Sequence, residues 1–102
     1  DIVVGGGEWL TAVLAAENPD IDWTIPKQGA VRWAQSLAML ADSERKADAL
    51  RFIQYVVSPE GQARLATSSC YWGMPANRKA GDVLTPEQKA VLRWDRQPEY
   101  LA

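Results

Sequence analysis

The sequence predicts an α/β fold in which helices pack on a short mixed sheet. Two observations lead to this class. Short β-branched or alternating segments in the first forty residues are typical of strands, and segments with apolar residues at helical spacing follow them. The chain has no internal repeat and no low-complexity segment, so we expect at most one ordinary domain.

The first forty residues predict three strands and one helix. Ile2 to Val4 is a β-branched strand closed by glycines, and apolar residues then recur at helical spacing up to Asn18-Pro19: Trp9, Val13, Leu14 and Ala16. Ile21 to Ile25 alternates and predicts the second strand. A turn at Lys27 to Gly29 leads to the third strand, Val31 to Leu40, which we expect to be buried on both faces because its later half is nearly all apolar.

Three further helices are predicted after residue 41. Asp42 or Ser43 can cap the first, whose apolar stripe comprises Ala47, Leu50, Ile53, Val56 and Val57. Ser58-Pro59-Glu60 restarts a helix that runs to about Ala66, because proline is favoured at the first helical position. The spacing from Thr85 to Gln88 matches a capping box and predicts the last helix, Pro86 to Trp94.

Composition places the chain among ordinary soluble domains. Of its 102 residues 47% are hydrophobic and 24% charged, with a net charge of -2. Charges are scattered, so we expect neither nucleic acid nor an anionic membrane as partner. The sequence begins at Asp1 inside an apolar run, and we interpret it as a fragment or processed piece of a longer protein.

The residue types present argue against most catalytic chemistry. The chain has no histidine, which removes imidazole as a base and as the commonest transition-metal ligand. Cys70 is the single cysteine, so no internal disulfide or cysteine-rich zinc site can form, and we expect a half-buried thiol at a helix end. We predict no catalytic residues, no metal and no cofactor.

The glycine-rich sequence "VVGGGEW" matches phosphate-binding loops only in part. Gly5 and Gly7 match the first two glycines of G-x-G-x-x-G, but Leu10 occupies the third position, and no P-loop lysine follows. Two interpretations stay open: the glycines let the chain turn sharply into the helix, or they form a loop tip that a ligand approaches closely.

Aromatic residues are unusually frequent beside turns and irregular segments. The five tryptophans include Trp23 and Trp94 in regular elements, where a core position is favoured. For Trp33, Tyr71 and Trp72, core and ligand contact are equally supported, since aromatic faces bind sugars, planar groups and cations.

Three segments follow each other in a characteristic order: "ENPDIDWTIPKQGAVRWAQSLAML", "KADALRFIQYVVSPEGQARLATSS" and "CYWGMPAN". Over about residues 1–84 this order resembles the C-terminal part of periplasmic solute-binding proteins of ABC transporters, most closely the spermidine/putrescine-binding group. That group has a ligand loop, a Pro-Lys-Glu-Gly turn, a Trp-x-Asp sequence, a helix followed by Ser-Pro-Glu and a Tyr-x-x-Pro-x-Asn-like loop. The resemblance implies a fragment of the two-lobed type II binding-protein fold.

The resemblance also implies a ligand site in a cleft between the lobes. Trp33 matches the tryptophan that stacks on the ligand, but Gln35 stands where polyamine binders carry an aspartate, and three glycines replace their Trp-Asn-Gly loop. The solute is therefore open among a polyamine-like compound, an amino acid derivative, a sugar-like solute and an anion. The predicted ligand-binding residues are Gly6, Gly7, Trp9, Trp33, Gln35, Tyr71 and Trp72.

The same resemblance implies an organisation and a location. Residues 1–31 and 71–102 resemble the C-terminal lobe, and residues 32–70 resemble part of the N-terminal lobe. The resemblance implies an exported, periplasmic protein whose signal sequence lies outside this segment and whose partner is a membrane permease. We expect the 102-residue chain alone to form a homodimer through exposed strand edges and apolar faces.

Two alternative functions stay open besides solute binding. One is a small-metabolite enzyme with a carboxylate base, for which Asp82 or Glu8 would need a raised pKa in an apolar site. The other is an interaction module that uses the exposed faces themselves. A turnover screen and the sequence of the surrounding gene would separate the three.

Overall fold

The structure, a computed structural model, describes residue 2 and residues 7–31, 34–68 and 73–96. Four α-helices occur there: α1 (Glu8–Glu17), α2 (Lys46–Val57), α3 (Pro59–Ala66) and α4 (Pro86–Val91). Two short 3-10 helices accompany α4, the first at Arg78–Asp82 and the second at Trp94–Arg96. Each predicted α-helix is thus present, whereas both 3-10 helices were missed.

Local sequence signals explain where α3 and α4 begin. The hydroxyl of Ser58 accepts a hydrogen bond from the Gly61 N–H at 3.1 Å, and Pro59 follows at the first helical position. At α4 the Thr85 hydroxyl accepts from the Gln88 N–H, and the Gln88 side chain accepts from the Thr85 N–H. The predicted capping box is therefore confirmed.

Two predicted helix ends differ from the structure. The N-cap of α2 is Arg45, without a side-chain cap, because the Ser43 hydroxyl instead accepts from the Arg45 N–H in the preceding turn. The last helix ends at Val91 and not at Trp94. It stops there because Arg93 adopts a left-handed conformation with φ of 49°, which cannot continue a right-handed helix.

The segments predicted as the second and third strands are irregular in the structure. Residues 21–25 and 34–40 form no strand, and Val31 and Leu40 are 92% and 81% exposed. The expected burial of the third strand on both faces is therefore wrong. A strand exists only in a ladder of backbone hydrogen bonds with a neighbour, which apolar composition alone does not supply. No strand occurs among the described residues, so the mixed sheet stays a prediction; residues 3 and 4 lie outside them.

The predicted turn before this segment is confirmed. The Gly29 N–H donates to the Pro26 carbonyl at 2.9 Å, and Gly29 has φ of +99°. Glycine adopts this backbone conformation without the steric cost that a Cβ adds, which explains its place at the end of the turn.

The core lies among α3, α4 and the first 3-10 helix. It consists of small and medium side chains, with Trp94 packed against it at partial burial, and its buried members are Ala63, Ala66, Ala80, Leu84 and Leu92. Gly81 brings the first 3-10 helix close to the indole, since a Cβ at Gly81 would lie 2.7 Å from Trp94 Cζ2. The expectation that Trp94 is a core residue is confirmed.

Candidate functional site

Four of the seven predicted ligand-binding residues lie outside the described part of the chain. These are Gly6, Trp33, Tyr71 and Trp72, and Cys70 lies outside it as well. The structure describes Gly7, Trp9 and Gln35. Gly7 and Trp9 are in contact at the start of α1, whereas Gln35 is exposed on the irregular segment 34–40.

The contact between Gly7 and Trp9 explains one of the glycines. Gly7 is the N-cap of α1 and has an ordinary extended conformation, with φ of -94° and ψ of 158°. A Cβ at this position would overlap the six-membered ring of Trp9. A residue with a Cβ here would force the Trp9 ring to shift, so space and not backbone freedom favours glycine. The half-buried Trp9 ring makes this close approach, and approach of a ligand to the loop stays a prediction.

The loop at residues 73–77 is held firmly although it contains no helix or strand. The Ala76 N–H donates to Gln62 Oε1 at 2.9 Å, and Asn77 Nδ2 donates to the Val57 carbonyl at 2.9 Å. Gln62 Nε2 also donates to the Val56 carbonyl at 2.8 Å. These bonds attach the loop to the junction of α2 and α3. The loop follows directly after Tyr71 and Trp72 in the sequence.

A cluster that the sequence did not predict joins the segment after α1 to the end of α4. The guanidinium of Arg93 forms an ion pair with Asp22 and lies 5.4 Å from the centre of the Trp23 ring. The Asp22 carboxylate also accepts from the Trp23 N–H at 2.8 Å. Trp23 is half-buried with a cation beside its ring and lies outside the core cluster, so the structure shows a cation contact where a core position was expected.

An open cavity of about 630 Å3 lies along α3 and the start of α4. Its polar lining includes Glu60 and Arg64, but the Thr85 and Gln88 side chains in its wall already bond each other's backbone in the capping box. Gly7, Trp9 and Gln35, the predicted ligand-binding residues that the structure describes, do not line it. The described residues therefore do not connect this cavity to the predicted ligand site.

Of the two carboxylates named as candidate bases, the structure describes the side chain of Asp82 alone. Asp82 is exposed at the end of the first 3-10 helix, and the side chain of Glu8 lies outside the described part of the chain. The pKa of Glu87 is lowered by hydrogen bonding to its own backbone N–H and then to the Thr85 side chain. A lowered pKa favours a carboxylate that stays ionised.

Residues 2, 7–31, 34–68 and 73–96 contain no group of three or more His, Cys, Asp or Glu side chains that could hold a metal ion. This part of the chain also contains no helix long and apolar enough to cross a bilayer.

Comparison with known proteins gives one match. A family model described as bacterial extracellular solute-binding protein matches residues 2–93. No curated protein and no solved structure matches the chain. The matched range includes every described helix except the second 3-10 helix, together with all seven predicted ligand-binding residues.

Proposed function

The chain belongs to the family of bacterial extracellular solute-binding proteins, and from this premise we propose that it is part of the binding component of an ABC importer. The protein binds a small polar solute in a cleft between two lobes and delivers it to a membrane permease, without covalent chemistry. Family membership itself implies a small-molecule ligand, a transporter partner and an exported location. The periplasm, the ABC permease and the interlobe cleft are the finer parts of the proposal.

The family match over residues 2–93 is the observation that carries this proposal. Two features of the chain support it further. The quoted segments follow each other in the order of the polyamine-binding group, and the loop after Tyr71 and Trp72 is attached to the helical scaffold by Gln62 and Asn77. A ligand site built from loops needs such attachment, since binding geometry depends on how rigidly the loops are held.

The proposed solute is polar, and we expect polyamines to bind weakly or not at all. An ammonium group withdrawn from water needs a carboxylate partner, and Gln35 offers a neutral amide where the polyamine binders have an aspartate. An amino acid derivative, a sugar-like solute and an anion fit a neutral amide better. Polyamines such as spermidine and putrescine are the alternative class of solute.

The proposal is tested on the full-length protein that carries this sequence. Thermal shift and calorimetric titration with putrescine, spermidine, glutamate, maltose and sulfate cover the solute classes above. Whichever of these solutes binds, we expect Trp33→Ala to weaken its binding at least about tenfold, about 1.4 kcal/mol, because stacking on the ring is lost. Trp33→Phe keeps an aromatic face and serves as the control. Unchanged affinity of a folded Trp33→Ala variant removes Trp33 from the site, and turnover of the bound solute contradicts a purely binding function.

The solute class is tested at Gln35. Gln35→Asp supplies the missing carboxylate and should tighten putrescine binding, whereas Gln28→Asp makes the same charge change in the exposed turn and should not. Sub-micromolar putrescine binding by the unmodified protein would show that other carboxylates hold the ammonium groups, and it would contradict this assignment.

For the 102-residue chain alone we propose a homodimer. Large apolar side chains are exposed along α2, where Phe52 is 61% and Val57 52% exposed, and their removal from water favours association. Sedimentation equilibrium at micromolar concentration is the measurement. A single species near 11.3 kDa contradicts the dimer.

A further inference from the structure

The junction between α2 and α3 leaves two carbonyl groups without helical partners. In a continuous helix the carbonyls of Val56 and Val57 would accept from N–H groups four residues later, but the chain breaks at Ser58 and restarts at Pro59. The Gly61 N–H, which would have served Val57, bonds the Ser58 hydroxyl. Both carbonyls are therefore open to donors from outside the helix.

Two side-chain amides supply these donors. Gln62 Nε2 donates to the Val56 carbonyl at 2.8 Å, and Asn77 Nδ2 donates to the Val57 carbonyl at 2.9 Å. The two carbonyls are adjacent in sequence. The two amides come from positions fifteen residues apart, one on α3 and one at the end of the 73–77 loop.

The oxygen of each amide is used as well. Gln62 Oε1 accepts from the Ala76 N–H at 2.9 Å, across 14 residues of chain. Asn77 Oδ1 accepts from the Lys79 N–H at 3.0 Å and caps the first 3-10 helix. We call Gln62 and Asn77 the amide brace. Each side chain joins one α2 carbonyl to one backbone N–H, that of Ala76 in the loop for Gln62 and that of Lys79 in the first 3-10 helix for Asn77.

The close packing of α2 against α3 is part of the same arrangement. A Cβ at Gly61 would overlap the Tyr55 carbonyl oxygen and lie 3.1 Å from Val56 Cα. Glycine lets the first turn of α3 approach the last turn of α2. Gln62, the next residue, is thereby within reach of Val56.

We propose that Gln62 and Asn77 are positioning residues of the solute site. They hold the 73–77 loop, which directly follows Tyr71 and Trp72 in the sequence, against α2 and α3, and neither touches the solute. The inference rests on the proposed function, because it gives the brace a role in binding beyond stability. Loss of one brace bond should weaken solute binding about tenfold or less, the range expected for one neutral hydrogen bond.

Gln62→Glu tests the brace through its pH dependence. At neutral pH the carboxylate still accepts from the Ala76 N–H, but it faces the Val56 carbonyl without a proton to donate. Protonation restores the donor, and the facing carbonyl raises the pKa of such a carboxyl above its ordinary value. We expect weakened solute binding at pH 7 that recovers toward the unmodified protein below about pH 5. A merely destabilised protein would lose more affinity in acid and not regain it.

Asn77→Ser separates the two functions of Asn77. Serine is a good N-cap and keeps an acceptor for the Lys79 N–H, but it is too short to donate to the Val57 carbonyl. Thr85→Ala is the matched control, since it removes the capping box of α4 and leaves the brace intact. We expect Asn77→Ser to weaken solute binding and Thr85→Ala to lower thermal stability without changing affinity.

The measurements are made on the full-length protein. Calorimetry with putrescine, glutamate, maltose and sulfate reports affinity, and hydrogen exchange of the Ala76 amide reports the brace. Faster exchange at Ala76 together with weaker binding supports the proposal. Faster exchange with unchanged affinity overturns the positioning role and leaves the proposed function standing. Absence of binding by the unmodified protein, with Ala76 protected, overturns the proposed function and the positioning role with it.

Discussion

Two regions of the chain differ in how they are held together. The helical region, residues 46–68 and 73–96, contains the core cluster and the amide brace. The leading region, residues 7–31 and 34–45, contributes Ala12 as its buried apolar residue, while Ile25, Val31, Leu37 and Leu40 are exposed. The sequence is apolar in both regions, so composition does not distinguish them.

The difference shows that an apolar residue is buried more easily when its packing partner is close in the sequence. In the helical region the helices pack against helices that are near them in the sequence, whereas a strand needs a neighbouring strand that can come from a distant part of the chain. The solvent-accessible area of 8139 Å2 exceeds the roughly 5,700 Å2 expected for a folded monomer of this mass. The radius of gyration, 15.6 Å, likewise exceeds about 13 Å for a domain of this length.

The largest expected effect comes from the core of the helical region. Leu92→Ala should lower the free energy of unfolding by about 2–4 kcal/mol, because Leu92 is 4% exposed and its loss leaves a cavity. Leu40→Ala, at 81% exposed, should change it by less than about 0.5 kcal/mol. Urea unfolding followed by circular dichroism measures both. Equal losses would show that Leu40 is packed in solution and would remove the contrast between the regions.

Two glycines give the next comparison. Gly61→Ala places a Cβ against the backbone of Tyr55 and should cost about 1–3 kcal/mol, since neither helix can move away without breaking the brace. Gly29→Ala in the leading region meets no atom within 4 Å and should cost about 1 kcal/mol, from its positive φ alone. If unfolding experiments rank the two in the opposite order, the close approach of α2 and α3 is wrong.

The ion pair between Asp22 and Arg93 joins the two regions. A double-mutant cycle with Asp22→Asn and Arg93→Gln should give a coupling energy of about 0.5–1 kcal/mol, because the Asp22 side chain is 68% exposed. High salt should reduce it. A coupling near zero at low salt would mean that this contact does not connect the regions.

The smallest effect concerns pH. The lowered pKa of Glu87 means that its carboxylate stabilises the folded state at neutral pH, and this contribution disappears as the pH falls through the lowered pKa. Glu87→Gln should therefore shift the urea midpoint slightly at pH 7 and by less at pH 3. Glu44→Gln, on the exposed turn before α2, is the matched control. An equal shift at both pH values would contradict the assigned cause.

Local signals made the helical region predictable and the leading region difficult. Ser58, Pro59, Thr85 and Gln88 determine helix starts through bonds to residues within a few positions, so their pattern is visible in the sequence. The strands at 21–25 and 31–40 were predicted from apolar patterns whose outcome depends on distant partners.

The candidate site was predictable only in part. Gly7 and Trp9 lie against each other, a contact that was not foreseen, and their role in ligand binding stays a prediction. Gln62 and Asn77 were missed because a single amide has no periodicity, and its partners lie 14 and 20 residues away. Orphan carbonyls at the Ser58-Pro59 break were the available signal, since every helix end requires donors from outside.

The Gln62 to Ala76 bond closes a ring of chain whose two ends are fixed whatever its length. The conformational entropy lost on closing such a ring grows only with the logarithm of its length, about 0.6 kcal/mol for each doubling. Residues added within this ring therefore cost little in closure entropy, provided that the Gln62 to Ala76 bond still forms.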